Sequence, residues 1–487
     1  MGGQKRPWDA DDNSPSEEST TTHHRDHGGH GAPSPTLPPR VPVRPQPPPE
    51  PGVKADGYYR QLYASEPDFR QLAREDAQFK ALLRGGNLDF NEPEAVMQLT
   101  KTLLNAHFGL KVELPKDRLC PPVPNRHNYI LWLKDLLDSS SYDEPGRKLT
   151  GLDIGTGASC IYPLLSCTQR DWSFIATDID DESLTYAKNN VARNNFQHRI
   201  QILPRLATDP LLPLDAVTTA TTIDFVMTNP PFYESEADMV ASAQNKSRPP
   251  FTACTGSPTE MVTPGGEVAF VRRILDESLA ARDKVRWYSS MLGKQSSLET
   301  LVAALRDKGV GNYAVAEFVQ GNRTRRWAIA WSFAPMRPSA GAARGLKGEK
   351  WKKILPPPLD AEVATVPLEQ GVGKMGDRVD ELMCSLELVS WAWDKQKLRG
   401  VGRAPENVWS RSWRRKKVAL QRGGIFDGVV KAMIDGSGPC AFGFEIDLDI
   451  KRAGMTVRCC WREGHDASLF ESFCGFLRTR LAAQHGS

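Results

Sequence analysis

The stretch KLTGLDIGTGASC, residues 148–160, packs an apolar strand and a glycine turn into thirteen positions. KLTGLDI reads as a buried strand, and GTGASC breaks it at once. Glycines at 155 and 157 let the backbone turn tightly and approach a ligand with no Cβ in the way. The third glycine of the dinucleotide-binding fingerprint is absent, because position 160 is Cys. The next strand, SFIATDID at 173–180, ends in Asp178. There a carboxylate can accept both hydroxyls of a ribose. Asp153, Gly155, Gly157 and Asp178 thus form a candidate site for one nucleoside without a pyrophosphate. S-adenosylmethionine fits that description better than NAD, and ordinary strand–helix turns with a solvated aspartate are the plainer alternative.

Working outward, apolar strands alternate with helical patterns. RIQIL (199–203), TIDFVMT (222–228) and KVRWYSSML (284–292) read as further strands. Helices are predicted over DESLTYAKNNVARNN, EVAFVRRILDESLAA and 297–308, and YAVAEFV and RWAIAWSF close the region as an antiparallel hairpin at the sheet edge. Such alternation implies a mostly parallel sheet covered on both faces. The fourth strand runs into Asn229-Pro230-Pro231-Phe232, at the edge where α/β sheets bind ligands. The Asn229 side-chain oxygen and the Pro230 carbonyl are two acceptors, held by restricted backbone. An exocyclic amine would satisfy both, and Phe232 offers a face on which a planar base can stack. A turn followed by a core ring is the competing account.

At 487 residues the chain exceeds one ordinary domain. A net charge of +3 points to no class of partner by itself, so any nucleic-acid surface must come from local clustering. Nine cysteines without CxxC pairs argue against a disulfide framework and a zinc site, as in a reduced, intracellular protein. No apolar run reaches membrane-spanning length, so no membrane association and no metal are expected. Residues 1–54 read as disordered: they are rich in Pro, Ser, Thr and Gly, with histidines at 23, 24, 27 and 30, and Lys5-Arg6 is too small for a nuclear signal. The rest divides into an α/β region at 55–335, a Pro/Gly/Lys-rich linker at 336–378, and a small α+β region at 379–487. In that last region DELMCSLELVSWAWDK alternates like a strand, CAFGFEIDLDIKR and MTVRCCWRE resemble a hairpin, and DASLFESFCGFLRTRLAA an amphipathic helix.

Taken in order, NEPEAVMQLTKTLL, VPNRHNYILWLKDLL, DIGTGASCIYPLL, TDIDDESLTYAKNNV, NPPF, RWYSSMLGKQSSL and RRWAIAWSF closely resemble the methyltransferase-like protein 16 family, over residues 57–333. These are RNA adenine N6-methyltransferases acting on U6 small nuclear RNA and structured messenger-RNA hairpins, with bacterial relatives acting on ribosomal RNA. The resemblance implies a class I S-adenosylmethionine-dependent fold, Rossmann-like with a mostly parallel seven-stranded sheet, and a C-terminal RNA-binding domain. It also implies that Arg126 holds the donor carboxylate, that Gly155 and Ser159 cradle the donor, that Asp178 is the ribose acid, and that Asn229 and Phe232 receive the target amine and base. The loop PRLATDPLLPLDAV departs from the vertebrate loop, whose lysine gates donor binding, so that regulation is not carried over.

RNA contact needs cations and flat side chains. Lys54 and Arg60 precede the core, Lys246 and Arg248 follow the tetrapeptide, and Arg323, Arg325 and Arg326 cluster in the hairpin. Arg411, Arg414, Arg415, Lys416 and Lys417 surround a Trp, the densest basic patch in the chain. Two other functions compete. Protein glutamine methyltransferases use the same acceptor geometry, with Tyr at the last tetrapeptide position. A non-catalytic RNA-binding adaptor could keep the fold. The family points to the nucleus, with the cytoplasm as a second location.

Overall fold

The computed structural model describes residues 54–214, 222–244, 256–320, 324–422, 440–452 and 454–482. The Pro-rich segment with its histidines, and Lys5-Arg6, lie outside them. The parallel sheet is built from β1 (Thr150–Ile154), β2 (Ser173–Asp178), β3 (Ile200–Pro204), β4 (Phe225–Thr228) and β5 (Trp287–Leu292). Two antiparallel strands, β6 (Tyr313–Gln320) and β7 (Thr324–Trp331), complete seven. A two-residue eighth, β8 (Arg344–Gly345), then pairs parallel with β6. The order is β3-β2-β1-β4-β5-β7-β6-β8. The β6–β7 hairpin therefore enters with β7 inserted against β5, and the sheet exceeds the expected seven by one short strand.

Both faces are buried, which explains why the strands read as apolar runs. Phe225 and Met227 pack with the helix Val123–Ser139, whereas Val226 between them packs with Gly266–Ala281 and Gln295–Asp307. Each fully buried ring contributes roughly 2–3 kcal/mol. Gly151 is required by that packing: a Cβ there would lie 2.6 Å from both Phe174 and Phe225. The turn after β1 is held because Gly155 and Thr156 both donate their backbone N–H to the Thr177 carbonyl, each at 2.9 Å.

Residues 336–378, expected as a linker, are instead structured. They carry β8, the Trp351 turn, β9 (Asp360–Val366) and the start of the helix Val372–Cys384. Strand β9 forms one edge of a second sheet with β10 (Ser390–Asp394), β11 (Arg399–Ala404), β12 (Phe442–Lys451) and β13 (Gly454–Glu463). Its order is β10-β11-β12-β13-β9, antiparallel throughout. The alternation in DELMCSLELVSWAWDK misleads over its first five residues, 380–384, which are helical. Met375, Val379 and Met383 recur every four residues and bury one face. The hairpin and the final helix, Ala467–Ala482, form as expected. All eight cysteines among the described residues are free thiols.

Val53–Ser487 is one compact unit. Arg337 joins its two sheets. Its side chain is 2% exposed and lies over Trp461 at 4.1 Å, donating to the Gly464 and Gly311 carbonyls at 2.8 and 3.0 Å. Beside it, Tyr142 donates to Glu463 at 3.2 Å and Arg462 to the Ser141 carbonyl at 2.8 Å.

Candidate active site

The carboxyl ends of β1, β2 and β4 converge on one region. Gly155 and Gly157 take positive φ values of 72° and 62°, conformations that side chains rarely adopt. Asp178 fastens this turn to β2. Its Oδ2 accepts from the Gly157 N–H at 2.8 Å, and Oδ1 from Ile179 at 2.8 Å and Asp180 at 3.1 Å. Burial raises the Asp178 carboxyl above its ordinary value, opposed by those three N–H groups. With two N–H groups on Oδ1 and one on Oδ2, Oδ2 keeps lone-pair capacity for a hydroxyl. Ser159 is buried within the turn, and Asn190 secures it by donating to the Ala158 carbonyl at 3.0 Å.

Asp153 is fully buried, and neither carboxylate oxygen has a hydrogen-bond partner. Burial pushes its carboxyl up to about 7; Asp178 adds to the rise, while the Thr156 hydroxyl and Arg126 oppose it. Arg126, in the first turns of Val123–Ser139, is 5% exposed. It donates to the Tyr162 hydroxyl at 2.8 Å, yet its Nε is buried without a partner.

The tetrapeptide follows β4, whose end is fixed on two sides. The Thr228 hydroxyl donates to the Ile154 carbonyl at 2.7 Å, and Ser289 donates to the Val226 carbonyl at 2.7 Å. Ser289 gives its proton away, so Tyr129, 2.8 Å off, is the donor to it. Asn229 Oδ1 is buried with no hydrogen-bond partner. The Phe232 ring lies against Gly293, where a Cβ would stand 2.8 Å from it. Buried Glu267 shapes this corner by accepting from Gly293 N–H at 2.6 Å and Lys294 N–H at 3.0 Å. Above the glycine turn, Glu260 accepts from Leu119 N–H at 2.9 Å and sits 3.6 Å from where a Gly157 Cβ would be.

A family model described as "RNA methyltransferase" matches residues 53–335, more than half of the chain. The chain belongs to that family. Over a longer span, this RNA methyltransferase is 36% identical to the Schizosaccharomyces pombe "U6 small nuclear RNA (adenine-(43)-N(6))-methyltransferase", across 405 residues, 82% of this chain and 96% of that protein. It is 44% identical to the Mus musculus "RNA N(6)-adenosine-methyltransferase METTL16" over 276 residues, 55% of this chain and 49% of the mouse protein. It thus matches about half the length of that vertebrate relative. The crystal structure of the hMettl16 catalytic domain in complex with MAT2A 3'UTR hairpin 6 superposes with a TM-score of 0.51 at 43% identity, covering 56% of this chain and 96% of that one. The fold is that of a class I methyltransferase.

The polar groups at these strand ends, with Arg126 Nε and both Asp153 oxygens unpartnered, fit the donor such an enzyme requires. Arg126 suits a carboxylate, Asp153 an ammonium, and Asp178 a ribose. The RNA-contact residues expected from sequence are scattered. Arg60 is held by Asp56 at 2.9 Å and Asp135 at 2.7 Å, clamping the N-terminal helix to the core. Lys54 donates to Tyr58 and the His107 carbonyl at 3.0 and 3.2 Å. Arg325 pairs with Glu317 at 2.7 Å. Arg326 lies over the Phe232 ring, 5.8 Å from its centroid. Lys246, Arg248 and Arg323 lie outside the described residues.

The basic run forms the helix Arg411–Arg422. Lys416 pairs with Glu406 at 2.8 Å and Lys417 with Glu387, whereas Arg411, Arg414 and Arg415 are exposed and form no ion pair among the described residues. Trp413 is 3% exposed and donates to Glu387 at 3.0 Å, so it anchors the helix and offers no face to a base. Sequence reasoning missed Glu267, Gly293 and Tyr162. Of these, Tyr162, inside GASCIYPLL, and Gly293, inside RWYSSMLGKQSSL, lay within motifs already singled out.

Proposed function

We propose that this methyltransferase transfers a methyl group from S-adenosylmethionine to the N6 of an adenosine in structured RNA, with U6 small nuclear RNA as its substrate. The observation that carries the reading is the unpartnered, buried Asn229 Oδ1 at the end of β4, on an NPPF tetrapeptide in a chain of this family. The U6-directed yeast relative and the hairpin-bound hMettl16 domain support the substrate class.

When bound, the donor supplies an electrophilic methyl on a sulfonium. Arg126 receives its carboxylate, Asp153 its ammonium and Asp178 its ribose, while Ser159 and the glycine turn line the cradle. Asn229 Oδ1 and the Pro230 carbonyl accept the two amine N–H groups of the target base. Those bonds favour a more tetrahedral nitrogen with its lone pair directed at the methyl. The neutral amine is the nucleophile, so no side chain needs to deprotonate it first, and water takes the proton afterwards. Pro230 and Pro231 hold the acceptors, so little ordering is needed on binding. Phe232 provides the stacking face for a base that has left its helix, which suits a loop or bulge beside duplex. Work on U6 RNA is nuclear, and we assign the protein to that compartment on this ground.

Labelled methyl donor with a U6 hairpin, wild type against Asn229→Ala, tests the reading. Losing one preorganised acceptor should lower kcat about 100- to 1000-fold. Equal incorporation by the variant would sink the mechanism. A wild type that binds the hairpin tightly and incorporates no methyl would favour the non-catalytic adaptor.

A further inference from the structure

Arg326 was expected on the RNA-facing surface of the β6–β7 hairpin, but it is half-buried at the active site. Its guanidinium lies over the Phe232 ring, 5.8 Å from the centroid, and Nη1 donates to the Arg325 carbonyl at 2.9 Å. Arg126 reaches the same pair of strands from the helix Val123–Ser139: its guanidinium carbon is 5.4 Å from the Tyr162 ring and Nη1 donates to Met291 Sδ on β5 at 3.3 Å, where the next residue, Leu292, pairs with Trp327, the neighbour of Arg326 on β7. Neither arginine forms an ion pair among the described residues, and Arg126 Nε has no partner at all.

The two cations are close enough to oppose each other. Burial and then the Arg126 charge pull the Arg326 guanidinium below its ordinary value, with Glu267, Tyr233 and Tyr162 acting the other way. Glu267 offsets part of that charge but forms no ion pair with either guanidinium among the described residues, its two oxygens accepting the Gly293 and Lys294 N–H groups. A buried and a half-buried guanidinium without an ion pair among the described residues cost stability unless an anion completes them. An RNA phosphate is a poor candidate for Arg126, which is 5% exposed and lies deep beside Asp153. A small carboxylate carried into the pocket fits better, since planar guanidinium groups bind carboxylates in fork geometry.

We infer that Arg126 and Arg326 together bind the carboxylate of the methyl donor, and that Arg326, lying on Phe232, links donor occupancy to the platform for the target base. The inference rests on the donor assignment made above. It moves Arg326 from the set of RNA phosphate contacts to that of donor-binding and positioning residues. In the absence of the donor, the unpaired guanidinium stays over the aromatic face. With the carboxylate in place, its charge is met and the ring is offered in one position. Donor binding therefore strengthens hairpin binding, and by linkage the hairpin strengthens donor binding by the same factor.

Calorimetry on the full chain tests this with S-adenosylhomocysteine and with decarboxylated S-adenosylmethionine, which lacks the carboxylate. Arg326→Gln should weaken S-adenosylhomocysteine binding about tenfold or more and leave decarboxylated donor binding within twofold of wild type. The decarboxylated ligand also reports that the variant is folded. Arg326→Lys keeps the charge without the fork and should recover part of the loss. Affinity for the U6 hairpin without donor, and its salt dependence, should not change, whereas the donor-induced gain in hairpin affinity should disappear. Unchanged S-adenosylhomocysteine affinity would overturn the inference, as would an equal loss for both ligands. A weaker hairpin complex with a shallower salt slope would return Arg326 to the phosphate contacts. A wild type that binds donor and methylates no RNA would refute the proposed function and leave the carboxylate assignment standing or falling on the calorimetry.

Discussion

Gly293→Ala isolates the stacking platform from the rest of the active site. Residue 293 follows β5, and a Cβ there would sit 2.8 Å from Phe232 Cδ1, 3.1 Å from Cε1 and 3.4 Å from Glu267 Oε2. Its φ is not in the positive range, so the backbone itself tolerates alanine. The strain therefore falls on the ring. To bring the 2.8 Å contact out to an ordinary 3.4 Å, Phe232 must move by about 0.6 Å. Glu267 blocks part of the retreat, because it is pinned by the Gly293 and Lys294 N–H groups. Overpacking of this kind costs about 1–3 kcal/mol, and a misplacement approaching 1 Å at a reacting centre lowers rate up to roughly 100-fold. Methyl transfer to a U6 hairpin should thus fall about 10- to 100-fold in kcat/KM, while S-adenosylhomocysteine affinity by calorimetry stays within about twofold. Methylation at the wild-type rate would refute the placement of the acceptor base on Phe232. A parallel loss of donor affinity would mean that the two sites are not separable at this corner.

Asp153 supplies a pH test. Its folded carboxyl titrates near 7 against an ordinary 3.8; the folded state therefore holds the proton longer than the unfolded state, and stability falls as pH rises from about 4 through 7, by no more than roughly 4 kcal/mol. Asp153→Asn should flatten that slope in denaturant melts between pH 5 and 8, and parallel slopes in the two proteins would refute the assignment. Arg337→Ala leaves the Gly464 and Gly311 carbonyls unpaired beneath a bare Trp461 face; a loss of about 3–5 kcal/mol is expected, and limited proteolysis should then cut between the two sheets, an unchanged digest counting against the clamp. Replacing Arg411, Arg414 and Arg415 together with Ala should weaken hairpin binding and lower the salt slope by about 2–3, with donor affinity unaffected. An unaltered slope would take that helix out of the RNA interface.

The strand ends were legible because chemistry and punctuation coincide there. Gly155, Gly157, Asp178 and Asn229 sit where apolar runs stop, at the carboxyl ends of the neighbouring strands β1, β2 and β4. Arg326 was legible as a cation but not as a half-buried one. One tryptophan follows it in a hairpin strand, and only the crossing of β7 against β5 shows that the side chain reaches Phe232. Trp413 erred in the other direction: among five cations it resembled a base-stacking ring, but Glu387 and the helix amphipathicity place it in the core. The linker reading failed because Pro, Gly and Lys dominate 336–378, and the seven residues of β9 gain their strand character from pairing with β13, about a hundred positions later. Pairing at that separation leaves no local trace.

That pairing also sets an order of events at the ribosome. Strand β9 is synthesised before β10, β11 and β12, yet among the described residues it pairs with β13 alone. Until Gly454–Glu463 has emerged, β9 presents an unpaired edge and the helix Val372–Cys384 an apolar face with an incomplete sheet to cover it. Every strand of the first sheet is synthesised before that moment, so the nascent chain carries the whole methyltransferase sheet followed by a waiting edge strand. A shortened chain ending near residue 380 would keep this state permanently, and its solubility, before its activity, is what such a truncation would change.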